Sequence, residues 1–155
     1  MSPDRFREAD VHAWIARAHN DLRAAEVDLR ASPPLLEDAL FHCQQAVEKA
    51  IKAPLTWHDH PFRKTHDLVE LGGLVVALDP TLEPLLQEVA PLSEYAWSLR
   101  YPGETALPTE SEAEAALRLT REVAAAILAR EDCRAGFHSR CAAVPDERDP
   151  VMLTA

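Results

Sequence analysis

One segment of this chain, residues 36–53, constrains the fold more than any other. Wound as a helix at about 100° per residue, it places its apolar side chains on one broad stripe: Leu36, Leu40, Cys43, Val47, Ala50 and Ile51. Such a stripe is what a helix needs to pack against a core. Four polar side chains fall within an arc of roughly 80° on another side: His42, Gln45, Lys49 and Lys52. The segment predicts an amphipathic helix with a core face and a cationic, hydrogen-bonding face.

The sign of the charge reverses in this region. From Lys49 to His66 the chain has four Lys or Arg residues and a single acid, Asp59, whereas its formal net charge is −10. A solvated helix face, with lysines placed favourably near a helix C-terminus, is the simplest explanation. The alternative is a basic pocket or interface, because the loop that follows the helix contains two further cations, Arg63 and Lys64.

Composition limits the class of protein. The 155 residues include 12 Pro and only 4 Gly, which favours helices separated by proline-marked turns. The acidic balance argues against nucleic-acid binding over the whole surface, although a local patch can still hold one phosphate. Three cysteines without zinc-type spacing, no apolar run of membrane-spanning length and no signal segment predict a cytoplasmic protein with no membrane contact.

Periodicity and capping residues predict the helices. The first extends from an N-cap at Asp10 to about residue 31, and the second ends near Pro54. Thr65 is the expected cap of the third, which two glycines shorten or bend. The Asp79-Pro80 pair opens a fourth helix, which Pro91 kinks or breaks.

A capping box formed by Thr109 and Glu112 opens the last helix, over residues 113–130, and periodicity is lost from about residue 131. We therefore predict an all-α fold, an up-and-down antiparallel bundle of four to five helices. The predicted organisation is an N-terminal extension (1–10), the bundle (11–130) and a flexible C-terminal tail (131–155).

Four segments of the chain resemble the HEPN domain family: WIARAHNDLRAAE (14–26), ALFHCQQAVEKAIKA (39–53), PFRKTHDLVELG (61–72) and EYAWSLRYPG (94–103). The resemblance implies a helical bundle similar to the helical domain of kanamycin-type nucleotidyltransferases, usually a homodimer. It also implies a partnership with a separately encoded minimal nucleotidyltransferase in a toxin–antitoxin-like pair. Many relatives are RNases whose motif is an Arg, four to six residues, and then a His.

The segments that resemble the family depart from that motif. No histidine follows Arg100 before His138, and only two residues separate Arg63 from His66, with three between Arg134 and His138. We therefore expect no catalytic residues and a domain that is not an enzyme. The alternative is a HEPN-type RNase toxin that uses His66 with Arg63 or Arg100 across a dimer.

The polar stripe, the basic loop and the Arg-Tyr-Pro segment together give the predicted ligand-binding residues: His42, Gln45, Lys49, Lys52, Arg63, His66, Arg100 and Tyr101. The expected ligand is a nucleotide such as ATP, or an RNA end, with no resident cofactor. Residues 58–60 and His66 are suitable metal ligands by type. They lack helical i, i+4 spacing and a cysteine partner, so we expect no metal site.

Overall fold

The computed structural model describes residues 3–96, 98 and 106–130, and the regular structure of this part of the chain is entirely helical. Five α-helices follow in order: α1 (Pro3–Arg30), α2 (Leu36–Trp57), α3 (Leu68–Leu78), α4 (Glu83–Val89) and α5 (Glu110–Leu128). Two 3₁₀ segments, Pro80–Leu82 and Ala90–Ala96, flank α4. The predicted all-α class is confirmed.

Helix α2 is the centre of the bundle. It packs against α1, α3, α5 and the 3₁₀ segment Ala90–Ala96. As a result it buries its apolar stripe and several polar positions as well, among them Gln44, Glu48 and Lys52. A helix covered on most sides has to satisfy its polar groups inside the protein. This requirement explains the hydrogen bonds of the candidate site.

Helices α1 and α2 run antiparallel. Near the start of α1, Arg7 lies 3.5 Å from Asp59, just beyond the end of α2. Further along α1, Asp21 contacts His42 in the first half of α2. The main apolar core lies between α2, the C-terminal half of α1 and the later helices. A smaller cluster at the N-terminal part of α1 joins Val11 and Ile15 to Ala53, with Trp14, Trp57 and Leu128 packed against it.

The first helix begins earlier than predicted. Helix α1 starts at Pro3, so Asp10 lies inside it and is not its N-cap. Proline is compatible with a first turn, and nothing from Arg5 to Asp10 interrupts helical geometry. Residues 3–10 of the predicted extension (1–10) are therefore helical and continuous with the bundle.

The second helix ends later than predicted. It continues through Pro54 to Trp57. Proline removes one backbone donor, but the next turn still closes: the His58 amide donates to the Pro54 carbonyl at 3.0 Å, and the Thr56 hydroxyl donates to the Lys52 carbonyl at 2.8 Å. One lost bond is thus not enough to end a helix that is buried here.

The cap of α3 is Asp67, not Thr65. The Asp67 carboxylate accepts hydrogen bonds from the amides of Val69 and Glu70 at 2.8 and 3.4 Å. The hydroxyl of Thr65 instead accepts from the amide of Asp67. Both Thr and Asp are good N-cap residues, so the apolar spacing of the sequence did not decide which of the two positions is the cap. The amide of Leu68 donates to the hydroxyl of Ser93, which ties α3 to the 3₁₀ segment Ala90–Ala96.

The start and the break of the fourth helix are confirmed. Asp79 caps the 3₁₀ turn that Pro80 opens, and the α-helical geometry of α4 ends at Val89, two residues before Pro91. The N-terminal capping box of α5 is also present, with Thr109 and Glu112 bonded to one another's backbone amides. The predicted C-terminal tail, residues 131–155, lies outside the described residues.

Candidate functional site

The predicted polar stripe of α2 is divided between two clusters. At about 100° per residue, Gln44, Glu48 and Lys52 form a slanted row in which each step of four residues turns by about 40°. His42 and Lys49 lie further round and face α1, where both contact Asp21. Four cations or donors that share an arc on a helical wheel therefore do not share one binding site.

The first group, the Asp21 cluster, consists of Asp21, His42 and Lys49. One carboxylate oxygen of Asp21 lies 2.8 Å from His42 Nδ1, and the other forms a salt bridge with Lys49. His42 Nε2 is 4.0 Å from Asp28, whose pKa is raised by burial and only partly restored by His42. The predicted ligand residues His42 and Lys49 are thus engaged with carboxylates of α1.

The second group, the Glu48 cluster, consists of Gln44, Glu48, Lys52 and His66. The two carboxylate oxygens of Glu48 receive Lys52 Nζ at 2.7 Å and His66 Nδ1 at 2.9 Å. The Gln44 amide donates to Glu48 at 3.1 Å and to the backbone carbonyl of His66 at 3.0 Å. Glu48 is therefore the centre that connects α2 to the loop before α3.

Burial and hydrogen bonding oppose each other at Glu48. Burial alone would raise the pKa of its carboxyl, but the bonds donated by Lys52, His66 and Gln44 hold that pKa below its ordinary value. The carboxylate is therefore charged at neutral pH. A buried carboxylate with three donors keeps its partners in fixed positions.

Two aromatic rings cover Lys52. Its Nζ lies 5.2 Å from the centroid of the Trp14 ring and 5.7 Å from that of Phe62. The two rings meet edge to face, with centroids 6.4 Å apart. Cation–π attraction and the Glu48 carboxylate together stabilise the buried ammonium group. The side chain of Lys52 is only 8% exposed, so this predicted ligand residue is part of the interior.

His66 is the member of the Glu48 cluster that reaches the surface. Its side chain is 43% exposed, against 4% for Glu48. In the same loop Arg63 donates from Nε and Nη2 to the two carboxylate oxygens of Glu70, at 2.9 and 2.7 Å. Lys64 is exposed beside it. His66 is thus a partly exposed imidazole with a buried carboxylate behind it, on a loop that also carries cations.

The remaining predicted site residues are not part of this geometry. Gln45 donates to the side chain of Gln44 at 2.7 Å and so connects to the Glu48 cluster only indirectly. Arg100 and Tyr101 lie outside the described residues. Among the residues that the structure describes, no group of three or more His, Cys, Asp or Glu is arranged to hold a metal ion.

Sequence reasoning missed Asp21, Gln44 and Glu48. Glu48 lies on the flank of the apolar stripe, and one helix in isolation does not reveal that neighbours cover this flank. A signal was present in the repeat of Gln44, Glu48 and Lys52 at intervals of four, because i, i+4 partners interact on a helix. The Asp21 contact had no such signal, since it depends on how α1 packs.

Chemically, the Glu48 cluster can hold the imidazole of His66 in one orientation. A carboxylate that accepts a hydrogen bond from Nδ1 fixes the tautomer and the orientation of the ring. An imidazolium at the surface can donate to a phosphate oxygen, and a neutral imidazole in the same place can exchange a proton.

Within the described part of the chain, no helix is long and apolar enough to cross a bilayer. Comparison with curated proteins and with solved structures gave no match. The family model of the HEPN domain matches residues 11–131, which include α2, the loop with His66 and α5. That match covers well over half of the 155 residues, and the chain therefore belongs to the HEPN domain family.

Proposed function

We propose that this HEPN domain is a nucleotide-binding and protein-partner module, working as a homodimer with a separately encoded minimal nucleotidyltransferase in a toxin–antitoxin-like pair. The observation that supports the binding role is the Glu48–His66 pair. It offers a partly exposed imidazole whose orientation is fixed by a buried carboxylate, next to exposed Lys64. A nucleotide such as ATP, or an RNA end, supplies the phosphate oxygens that such a group binds.

The geometry also narrows the proposed site. Lys49 and Lys52 are already paired with Asp21 and Glu48, so we assign them to stabilising the fold and not to contacting the ligand. The contacts to the ligand are then assigned to the loop with Lys64 and His66. Arg100 and Tyr101 stay proposed ligand residues from the resemblance of their segment to the family.

The binding proposal is tested by thermal unfolding in the presence of ATP. A ligand that binds the folded state alone stabilises it by mass action, by about 2.7 kcal/mol at a hundredfold excess over Kd. We expect ATP to raise the Tm of the wild type and not of the variants His66→Ala or Lys64→Ala. The matched control is His19→Ala, an exposed histidine on α1.

Arg100→Ala tests the residue outside the described structure in the same assay. An ATP-induced shift that survives in the His66 and Lys64 variants but disappears in the Arg100 variant would move the site to the Arg-Tyr-Pro segment. The absence of any shift in the wild type would contradict nucleotide binding altogether.

The partnership is a separate claim with its own test. We expect the chain to co-elute with a minimal nucleotidyltransferase encoded beside it when the two are co-expressed. Exposed Phe6, Val27 and Leu107 offer apolar surface for a second copy or for this partner. Sedimentation of the isolated chain as a monomer at micromolar concentration would contradict the homodimer.

A second candidate function, an RNase, is favoured by the same pair for a different reason. A histidine held by a buried carboxylate is the arrangement of a general base. The two functions differ in outcome, because only the RNase cleaves RNA in a manner that depends on His66.

A further inference from the structure

A cleft of about 300 Å³ lies between α1 and α5, and it shares no residue with the Glu48 cluster. Its lining residues come from one face of each helix: Glu26, Leu29, Arg30, Glu114, Leu117, Arg118 and Arg121. Positions three, four and seven residues apart lie on one side of a helix. The cleft is thus a groove between two parallel rows of side chains.

The floor of the groove is apolar. Leu117 is 6% exposed, and Leu29 is partly buried against the main core. The other five lining residues are charged, so the two leucines form an apolar floor below charged walls. The volume lies at the low end of the range for small-ligand sites.

One end of the groove is closed by an ion pair. Arg121 donates from Nη2 and Nε to the same carboxylate oxygen of Glu26, at 2.6 and 3.1 Å. This pair joins residues that are 95 positions apart in the chain, and each charge compensates the other.

The other two arginines of the groove are not neutralised in this way. Within the described part of the chain, neither Arg30 nor Arg118 forms a salt bridge, and both are exposed. Glu114 is the remaining acid of the lining, and as the i, i+4 neighbour of Arg118 it can compensate one of them. The positive charge of Arg30 also interacts favourably with the helix dipole, because Arg30 lies in the last turn of α1. Even so, two guanidinium groups face one carboxylate, in a chain of net charge −10.

We propose that this cleft binds a small phosphate monoester whose organic part is apolar. Two planar guanidinium groups match the geometry of one phosphate dianion, to which each can donate two hydrogen bonds. The apolar part then lies on Leu29 and Leu117. The site is independent of His66 and of the function proposed above.

Isothermal titration with phenyl phosphate tests the proposal, with inorganic phosphate as the second arm. We expect saturable binding of phenyl phosphate, and weaker binding of inorganic phosphate because it lacks a group to cover the leucines. Arg30→Gln and Arg118→Gln should each weaken binding by about tenfold to a hundredfold, as expected for the loss of charge-assisted hydrogen bonds. Arg118→Lys should give an intermediate loss, since it keeps the charge without the planar fork.

The matched control is Arg23→Gln, which removes an exposed arginine of α1 outside the cleft. Binding that is unchanged in the Arg30 and Arg118 variants, or equally weakened in the Arg23 variant, would overturn the assignment, as would the absence of saturable binding to the wild type. The three positions are exposed, and circular dichroism of each variant verifies the fold. Titration of His66→Ala separates this site from the proposed nucleotide site, because its affinity for phenyl phosphate should equal that of the wild type.

Discussion

Glu48 and His66 are 18 positions apart in the chain, and a hydrogen bond of 2.9 Å joins His66 Nδ1 to Glu48 Oε2. Gln44 adds a second link, because its amide donates to the backbone carbonyl of His66. The loop before α3 is therefore held at two points by the polar interior of α2. The order of this loop, and the orientation of its imidazole, depend on a residue that is itself almost inaccessible to solvent.

The first prediction concerns the substitution Glu48→Gln. It removes the negative charge that neutralises buried Lys52, and breaking a buried pair in this way typically costs about 3–5 kcal/mol. Urea unfolding followed by circular dichroism measures the loss. Glu88→Gln, an exposed change on α4, is the control and should stay within about 0.5 kcal/mol of the wild type. Equal stability of the two variants would show that the Glu48 cluster contributes nothing to the fold.

The second prediction is a dependence of stability on pH. The pKa of Glu48 in the folded protein lies below its ordinary value of 4.5. The folded state therefore binds its proton less readily than the unfolded state does. The stability that Glu48 contributes is complete above pH 4.5 and is lost as the pH falls through the folded pKa.

The measurement is the free energy of unfolding of the wild type minus that of Glu48→Gln, from neutral pH into the acid range. Subtraction removes the effect of other carboxyls whose pKa is also lowered, such as Asp79. We expect this difference to be constant near neutral pH and to shrink below pH 4.5. A difference that grows on acidification would show that the pKa of Glu48 is raised instead.

The third prediction concerns the start of α5. Thr109 Oγ1 accepts from the amide of Glu112 at 3.2 Å, and the Glu112 carboxylate accepts from the amide of Thr109 at 2.7 Å. Thr109→Ala removes half of this capping box and should lower Tm by about 3–6 °C. Ser111→Ala, an exposed change in the same helical turn, should leave Tm nearly unaltered. A Tm for Thr109→Ala that matches this control would mean that the box is not formed in solution.

The capping box and the break before Pro91 could be predicted from the sequence because both are local. Thr109 meets Glu112 within one turn, and Pro91 lacks the donor that an α-helix needs at its position. The end of α2 was placed wrongly, because the loss of one backbone bond at Pro54 is offset by packing of the surrounding turn. Local rules of this kind predict the end of a helix well where its backbone is exposed to solvent. They predict it less well where the helix is buried, because packing can offset the loss of one hydrogen bond.

The candidate site was predictable only in part. His66 was identified from its loop and from the family resemblance, and the structure places it at the edge of the Glu48 cluster. Lys49 and Lys52 were predicted to bind a ligand because a helical wheel shows on which side of the helix a residue lies. It does not show which neighbouring helix that side contacts. Asp21 lies opposite Lys49, and it belongs to a different helix. Information of this kind enters only with the packing of α1 on α2.

The last prediction is that the purified chain alone does not cleave RNA above background. A general acid or base contributes about 10²–10⁴-fold to a rate and requires correct placement relative to the phosphate. Neither Arg63 nor Arg100 is followed by a histidine after four to six intervening residues, and Arg63, the arginine nearest to His66 in the chain, donates to both carboxylate oxygens of Glu70. Incubation with mixed tRNA, with His66→Ala and the surface control His19→Ala in parallel, measures this. Cleavage by the wild type and by the His19 variant, but not by the His66 variant, would instead establish the RNase and assign its proton transfer to the imidazole that Glu48 holds.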